Sequence, residues 1–248
     1  MNGDIQLTYE HYDKRYINFR YRRFPLGAIS VWIHMIKLIH LMELYILHKN
    51  KKVLDIGCGL GFDSYCWYLL GMEVTGIDLS RIAIQKAKSQ WSRKRKKQDR
   101  LHFVHDDVQA FDYQESYFDF IYCKEFTLTN TDQIYGEKQK RFGETMLRAL
   151  KPDGIWYWQL RSDGSGTWDK GSETFFPSTS TIYQYFSQFP CFIGEIYFHE
   201  NSMCTLICHE KEIFQRITAN RKTKYELCFS TILKWASMLP TCLFDQLF

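Results

Sequence analysis

The sequence lacks three features, and each absence removes a class of protein. There is no large excess of charge. Thirty-two Lys and Arg stand against 28 Asp and Glu, a formal net charge of +4 over 248 residues, so nothing in the overall balance points to a polyanion binder. There is no zinc-type cysteine spacing. The eight cysteines (58, 66, 123, 191, 204, 208, 228 and 242) are scattered, and the single C-x3-C at Cys204 and Cys208 has no second pair to complete a tetrahedral site. There is no run of about 20 uninterrupted apolar residues, the length a membrane-spanning helix needs. The nearest candidate, residues 29–47, carries His34, Lys37, His40 and Glu43 at every third position, which makes it an amphipathic helix with a polar stripe rather than a span. The same spacing makes the two histidines surface residues and not metal ligands. A polar N-terminus without a signal-peptide pattern, and cysteines set within apolar runs, imply reduced thiols in a cytoplasmic protein.

What is present is enough for one α/β domain with additions: 45% apolar and 24% charged residues. The chain is organised around residues 53–79, VLDIGCGLGFDSYCWYLLGMEVTGIDL. Val53, Leu54 and Ile56 form an apolar strand that breaks off into Gly57, Cys58, Gly59, Leu60 and Gly61. A helix over 62–70 follows, stopped by Gly71, and a second strand over 73–77 ends in Asp78. This is a βαβ unit with an acid about 20 residues beyond the glycines, where a carboxylate accepts hydrogen bonds from a ribose. Asp55, just before the glycines, would repel a pyrophosphate and suits a ligand with a cationic end.

The spacing D-x-G-x-G-x-G at Asp55, Gly57, Gly59 and Gly61 resembles the first motif of class I S-adenosylmethionine-dependent methyltransferases. The resemblance implies a Rossmann-like, seven-stranded, mostly parallel sheet with helices on both faces and a C-terminal antiparallel hairpin. It implies S-adenosylmethionine as cofactor, with Asp55, Gly57, Cys58, Gly59 and Gly61 at its amino acid end. Asp78 and Leu79 then fall at the ribose, and Asp107 and Val108 at the adenine, or Asp106 if the register shifts by one. Further along, F-D-F-I at 118–121 and L-K-P-D-G at 150–154 resemble the lead-ins to the family's fourth and fifth strands.

The remaining elements fit this order. A helix over 79–91 is capped by Ser80 and ended by the basic run 93–100. Strands at 101–104, 118–122 and 155–160, a helix at 137–150, and a hairpin of 192–199 with 203–209 complete the sheet. Ligands of such sheets bind beyond the strand ends where the order reverses, here strands one and four. That places Lys124, Glu125, Thr127 and Asn130 near the transferred methyl. The loop 161–171 contributes Arg161, Asp163, Trp168 and Asp169 to a substrate pocket. Tyr12, Arg15 and Tyr16 are candidates for a lid, since similar Tyr-rich N-terminal segments close over the cofactor in the family. Glu125 is the first candidate for a general base, then Asp163, then His102 or His105.

The residues after strand four support neither of two related classes. The sequence CKEFTLTN lacks the N/D-P-P-Y/F of amino methyltransferases acting on DNA, and the only Pro-Cys, the nucleophile pair that cytosine C5 methyltransferases need, is Pro190 and Cys191, far from it in sequence. The expected organisation is a helical cap over 1–49, a methyltransferase domain over 50–210 and a helical extension over 211–248. The expected function is methyl transfer to an oxygen or nitrogen of a small polar metabolite by a monomer or homodimer, with no metal. The alternatives are a nucleic-acid or protein methyltransferase docked through 93–100, and a noncatalytic protein that keeps the fold.

Overall fold

The apolar run before the glycines is buried from Val53 to Ile56 and forms the first strand of the sheet. The computed structural model describes residues 9–17, 51–69, 71–92, 100–126, 133–169, 174–194, 196–199, 202–213 and 215. The helix expected over 29–47, the basic residues 93–99, Thr127, Asn130 and the tail from 216 lie outside them. In chain order the elements are α1 (Tyr9–Ile17), β1 (Lys52–Ile56), α2 (Phe62–Leu69), β2 (Glu73–Asp78), α3 (Arg81–Ser92), β3 (Leu101–His105) and β4 (Phe118–Lys124). These are followed by α4 (Glu137–Ala149), β5 (Leu150–Arg161), β6 (Thr167–Asp169), β7 (Thr174–Phe176), α5 (Thr179–Phe186), β8 (Phe192–Ile193), β9 (Tyr197–His199) and β10 (Ser202–Cys208).

The strand order is β3-β2-β1-β4-β5-β10-β8, with β9 also paired to β10. The first five strands run parallel and β10 is antiparallel to β5. The expected seven positions across the sheet are therefore present. The order reverses between β1 and β4, the position at which ligands of open α/β sheets bind.

Alternation along the strands supplies two cores. Val53, Val74, Phe120, Tyr122 and Tyr157 pack with Trp67 of α2 and Trp91 of α3 on one face. Leu54, Ile56, Ile121, Trp156 and Trp158 pack with Phe142 and Met146 of α4 and Tyr185 and Phe186 of α5 on the other. Buried on both sides, these strands read as continuous apolar runs instead of alternating ones.

Three local features depart from the sequence expectation. Residues 151–154 do not end a helix in a free turn but lie within the long strand β5, where Phe118 pairs with Leu150 and Phe120 already pairs with Ile155. That excess of residues on one strand is a bulge. The first arm of the final hairpin is split. β8 pairs with Ile207 and Cys208, β9 pairs with residues 202–204, and between them Gly194 O accepts from Thr205 Oγ1 at 3.1 Å. Finally, part of the loop expected over 161–171 is a strand, because Thr167, Trp168 and Asp169 pair with Thr174, Phe175 and Phe176. The Trp168 and Phe175 rings meet edge to face at 5.7 Å, a cross-strand aromatic pair that draws the segment out of loop conformation.

Candidate functional site

The carboxyl ends of β1 to β4 meet at the glycine turn. Gly57 N and Cys58 N both donate to Ile77 O, at 2.9 and 3.1 Å, which staples the turn to β2. Two glycines are required by position. At Gly61 (φ +72) a Cβ would lie 2.4 Å from the Phe103 ring, so glycine is what lets the start of α2 settle on β3. At Gly59 (φ +52) a Cβ would lie 2.9 Å from the hydroxyl of Tyr16, which reaches over the turn from α1.

Asp78 closes the far side. Its Oδ2 accepts from Gly59 N and its Oδ1 from Ser80 N, both at 2.8 Å. Burial pushes its carboxyl pKa up, opposed by those two N–H groups and the Arg15 charge. Tyr16 is pushed up to about 12, by burial first and by Asp78 next. The end of β3 joins through Asp106 N, which donates to Asp78 O at 3.3 Å, and His105 Nε2 lies 3.1 Å from Leu79 O. Asp106 and Asp107 both spend an oxygen on their own turn, on Asp107 N (2.8 Å) and Gln109 N (2.9 Å), while Val108 is buried beneath them.

Asp55 differs from its sequence expectation as an open anionic group. It is 3% exposed and takes the hydroxyl of Ser64 at 2.5 Å. Burial, with Asp63 next, lifts its pKa to about 8, which favours the neutral carboxyl beneath the turn. The open charges belong to the neighbouring pair Lys124 and Asp63, 3.5 Å apart, with Tyr122 OH donating to the same Asp63 oxygen at 3.2 Å. Asp63 is a residue the sequence argument missed, although an acid in the first turn of the helix after the glycines was its visible signal. Phe126 was also missed; its ring lies 3.2 Å from where a Gly57 Cβ would stand.

Glu125 directly follows β4. It is exposed, has φ +53, and its N–H bonds Gln159 O at 2.9 Å. A non-glycine residue held in this region is strained, and such strain clusters at functional sites. The other candidates stand at the end of β5. The Arg161 guanidinium lies 5.8 Å from the Phe176 ring centroid, and Trp168 is 53% exposed. Asp163 is solvent-exposed, and the Ser165 hydroxyl and N–H hold its carboxyl below the usual range. The structure thus gathers Tyr16, Asp78, Leu79, Asp107, Lys124 and Glu125 along the ends of β1 to β4. Arg161, Asp163 and Trp168 follow at the end of the next strand, β5, which Glu125 N joins through Gln159 O. His102 is exposed on β3.

Arg100, the described end of the basic run, is committed to the fold. Its Nη1 donates to Gly71 O at 2.7 Å, and its guanidinium lies 5.4 Å from the Tyr68 ring. A cleft of about 510 Å³ lies at the opposite ends of the strands, between Ser116, Arg148, Phe189 and His209, and shares no residue with the glycine turn. The six described cysteines are all free. No helix among the described residues is long and apolar enough to cross a membrane.

Comparison with known proteins agrees with this geometry. Residues 47–173 match the model of a family described as a methyltransferase domain. The chain is 34% identical over 106 residues to a mitochondrial ubiquinone biosynthesis O-methyltransferase of Schizosaccharomyces pombe, covering 43% of this chain and 36% of that one. It is 30% identical over 122 residues to a sterol 24-C-methyltransferase of Debaryomyces hansenii, covering 48% and 29%. The matched stretch spans about a third of the length of these curated relatives. Among solved structures, the magnesium protoporphyrin IX methyltransferase of Synechocystis PCC 6803 superposes with a TM-score of 0.56 at 12% identity, over 81% of this chain and 91% of that one. At that identity the likeness speaks for the fold.

Proposed function

The chain belongs to the class I S-adenosylmethionine-dependent methyltransferase family, and from that membership we propose that it transfers a methyl group from S-adenosylmethionine to an oxygen or nitrogen of a small polar molecule. The observation that carries the cofactor half of this reading is Asp78. Each of its oxygens takes one backbone N–H, at 2.8 Å, which leaves each a further lone pair for one of two ribose hydroxyls. The residues fit the cofactor in a second respect. The turn at Gly57 is exposed backbone with no side chain of its own, so a ligand can approach closely.

In this reading Asp78 and Leu79 hold the ribose, Asp107 and Val108 flank the adenine, and Gly57, Cys58, Gly59, Gly61 and Lys124 surround the amino acid end. Asp55 acts from beneath as a neutral hydrogen-bonding group. When bound, the cofactor supplies a sulfonium-activated methyl group open to in-line displacement. The protein aligns the nucleophile with that methyl, excludes water, and removes a proton where the nucleophile carries one. Glu125 serves as that base in preference to Asp163, whose depressed pKa makes it a weaker proton acceptor. Tyr12, Arg15 and Tyr16 cover the cofactor, while Thr127, Asn130, Arg161 and Trp168 contact the acceptor. The domain doing this is 50–210, with 1–49 as its cap and 211–248 as an extension.

The relative from Schizosaccharomyces pombe is named for O-methylation, which supports an oxygen acceptor. The test supplies S-adenosylmethionine labelled on the methyl to the protein with a cell extract, then separates small molecules, proteins and nucleic acids. Label on an oxygen or nitrogen of a small molecule is expected. Label in nucleic acid or protein, or on carbon, would overturn the acceptor assignment. Cofactor binding with no transfer to any fraction would leave a noncatalytic protein.

A further inference from the structure

Ser80 makes three contacts that together tie the first described helix to the carboxylate of Asp78. Its N–H donates to Asp78 Oδ1 (2.8 Å), its Oγ accepts from Ala83 N (3.1 Å) as the cap of α3, and the same hydroxyl donates to Asp13 Oδ1 on α1 (2.7 Å). Asp13 Oδ1 also accepts from Ile82 N at 3.0 Å, so α1 lends a carboxylate to the start of α3, where exposed N–H groups favour negative charge. Burial alone would raise the Asp13 pKa. The Ile82 N–H, the Ser80 hydroxyl and the Arg81 charge outweigh it and hold the group below the ordinary carboxylate range. The two helices are joined again at the C-terminal end of α1, where Lys86 Nζ of α3 donates to Tyr16 O (2.5 Å) and Ile17 O (3.2 Å). Held at its middle and at its C-terminal end, α1 carries Tyr16 to its place over Gly59.

We infer that Asp13 is a positioning residue for the cofactor: through Ser80 it fixes the carboxylate of Asp78, and by the same contact it docks α1, so that helix docking and cofactor binding stabilise one another. The inference rests on the reading of Asp78 as the ribose-binding acid. Coupling of this kind is reciprocal, so a ligand held by Asp78 must hold α1 in place by the same free energy that α1 lends to the ligand. A contact that merely anchored α1, with the helix taking no part in holding the ligand, would leave ligand release untouched when it is lost.

Two readouts separate these cases, and both use S-adenosylhomocysteine so that no turnover is needed. The first is its dissociation rate. The second is trypsin cleavage after Lys14 and Arg15, both exposed on α1. For the unaltered chain, S-adenosylhomocysteine should slow this cleavage. Asp13→Ala should release the ligand about tenfold faster and lose the protection. Asp13→Asn keeps an oxygen that can accept from Ser80 and Ile82, and should recover part of both effects. Lys86→Ala, which loosens only the C-terminal end of α1, should fall in between. If Asp13→Ala releases the ligand at the unaltered rate and keeps the protection, the coupling is overturned and the cofactor reading stands. If the unaltered chain does not bind S-adenosylhomocysteine, both are overturned.

Discussion

Asp55 and Asp78 sit near the ends of adjacent strands, and their surroundings give them opposite parts. Asp78 meets two backbone N–H groups that oppose the cost of its burial, whereas Asp55 meets one hydroxyl and the charge of Asp63. The consequence for Asp55 can be measured. Unfolded, it loses its proton near pH 3.8, but folded it keeps that proton to about pH 8. Between those values unfolding releases a proton, so this residue's contribution to stability is full at the low end and fades as the pH rises. Asp55→Asn keeps the shape and an acceptor for Ser64 without the titration. In urea unfolding it should lose less stability between pH 5 and pH 8 than the unaltered chain, by ~1 kcal/mol or more, and equal losses would contradict the assignment. A steric prediction belongs to Gly61. Adding a Cβ there combines a left-handed backbone with overlap of the Phe103 ring, and Gly61→Ala should cost about 2 to 4 kcal/mol in the same assay.

At the scale of elements, what could be read ahead was what is local. Strands β1 to β4 and helices α2 to α4 announce themselves by apolar runs, glycine stops and a helical stripe read at Phe142, Met146, Leu147 and Leu150, of which Leu150 instead opens β5. The helix α5 was passed over because Thr, Ser and Tyr dilute its pattern. Its signals were the cap Ser178 after Pro177 and the helical spacing of Ile182, Tyr185, Phe186 and Phe189. The break between β8 and β9 had no such signal, since the contact that marks it, Thr205 to Gly194, comes from the facing strand. The β6–β7 hairpin tests the substrate reading. Trp168 is more than half exposed and its ring contact is with Phe175 in the same hairpin. Trp168→Ala should therefore change stability by less than about 0.5 kcal/mol and leave S-adenosylhomocysteine affinity unaltered, while raising KM for the acceptor. An unchanged KM would remove the hairpin from the acceptor site.

Across the whole molecule, the run β1-β2-β3 and the step from β4 to β5 were legible because there a strand feeds a helix and returns beside its predecessor with a fixed hand, whereas β4 follows β3 with no helix between them and pairs on the far side of β1, a reversal that only the family resemblance implied. The same order led to the switch point, and with it to Asp78, Asp107 and Lys124. The pieces of the site that escaped are those made by distant residues: Asp13 and Ser80 are 67 positions apart, and no periodicity links them. The account's central claim is that these strand ends bind S-adenosylmethionine through Asp78. Calorimetric titration of the unaltered chain and of Asp78→Ala with S-adenosylmethionine tests it most directly. Micromolar binding that the substitution weakens at least tenfold, ~1.4 kcal/mol, is the predicted result. No binding by the unaltered chain, or equal binding by both, would contradict it.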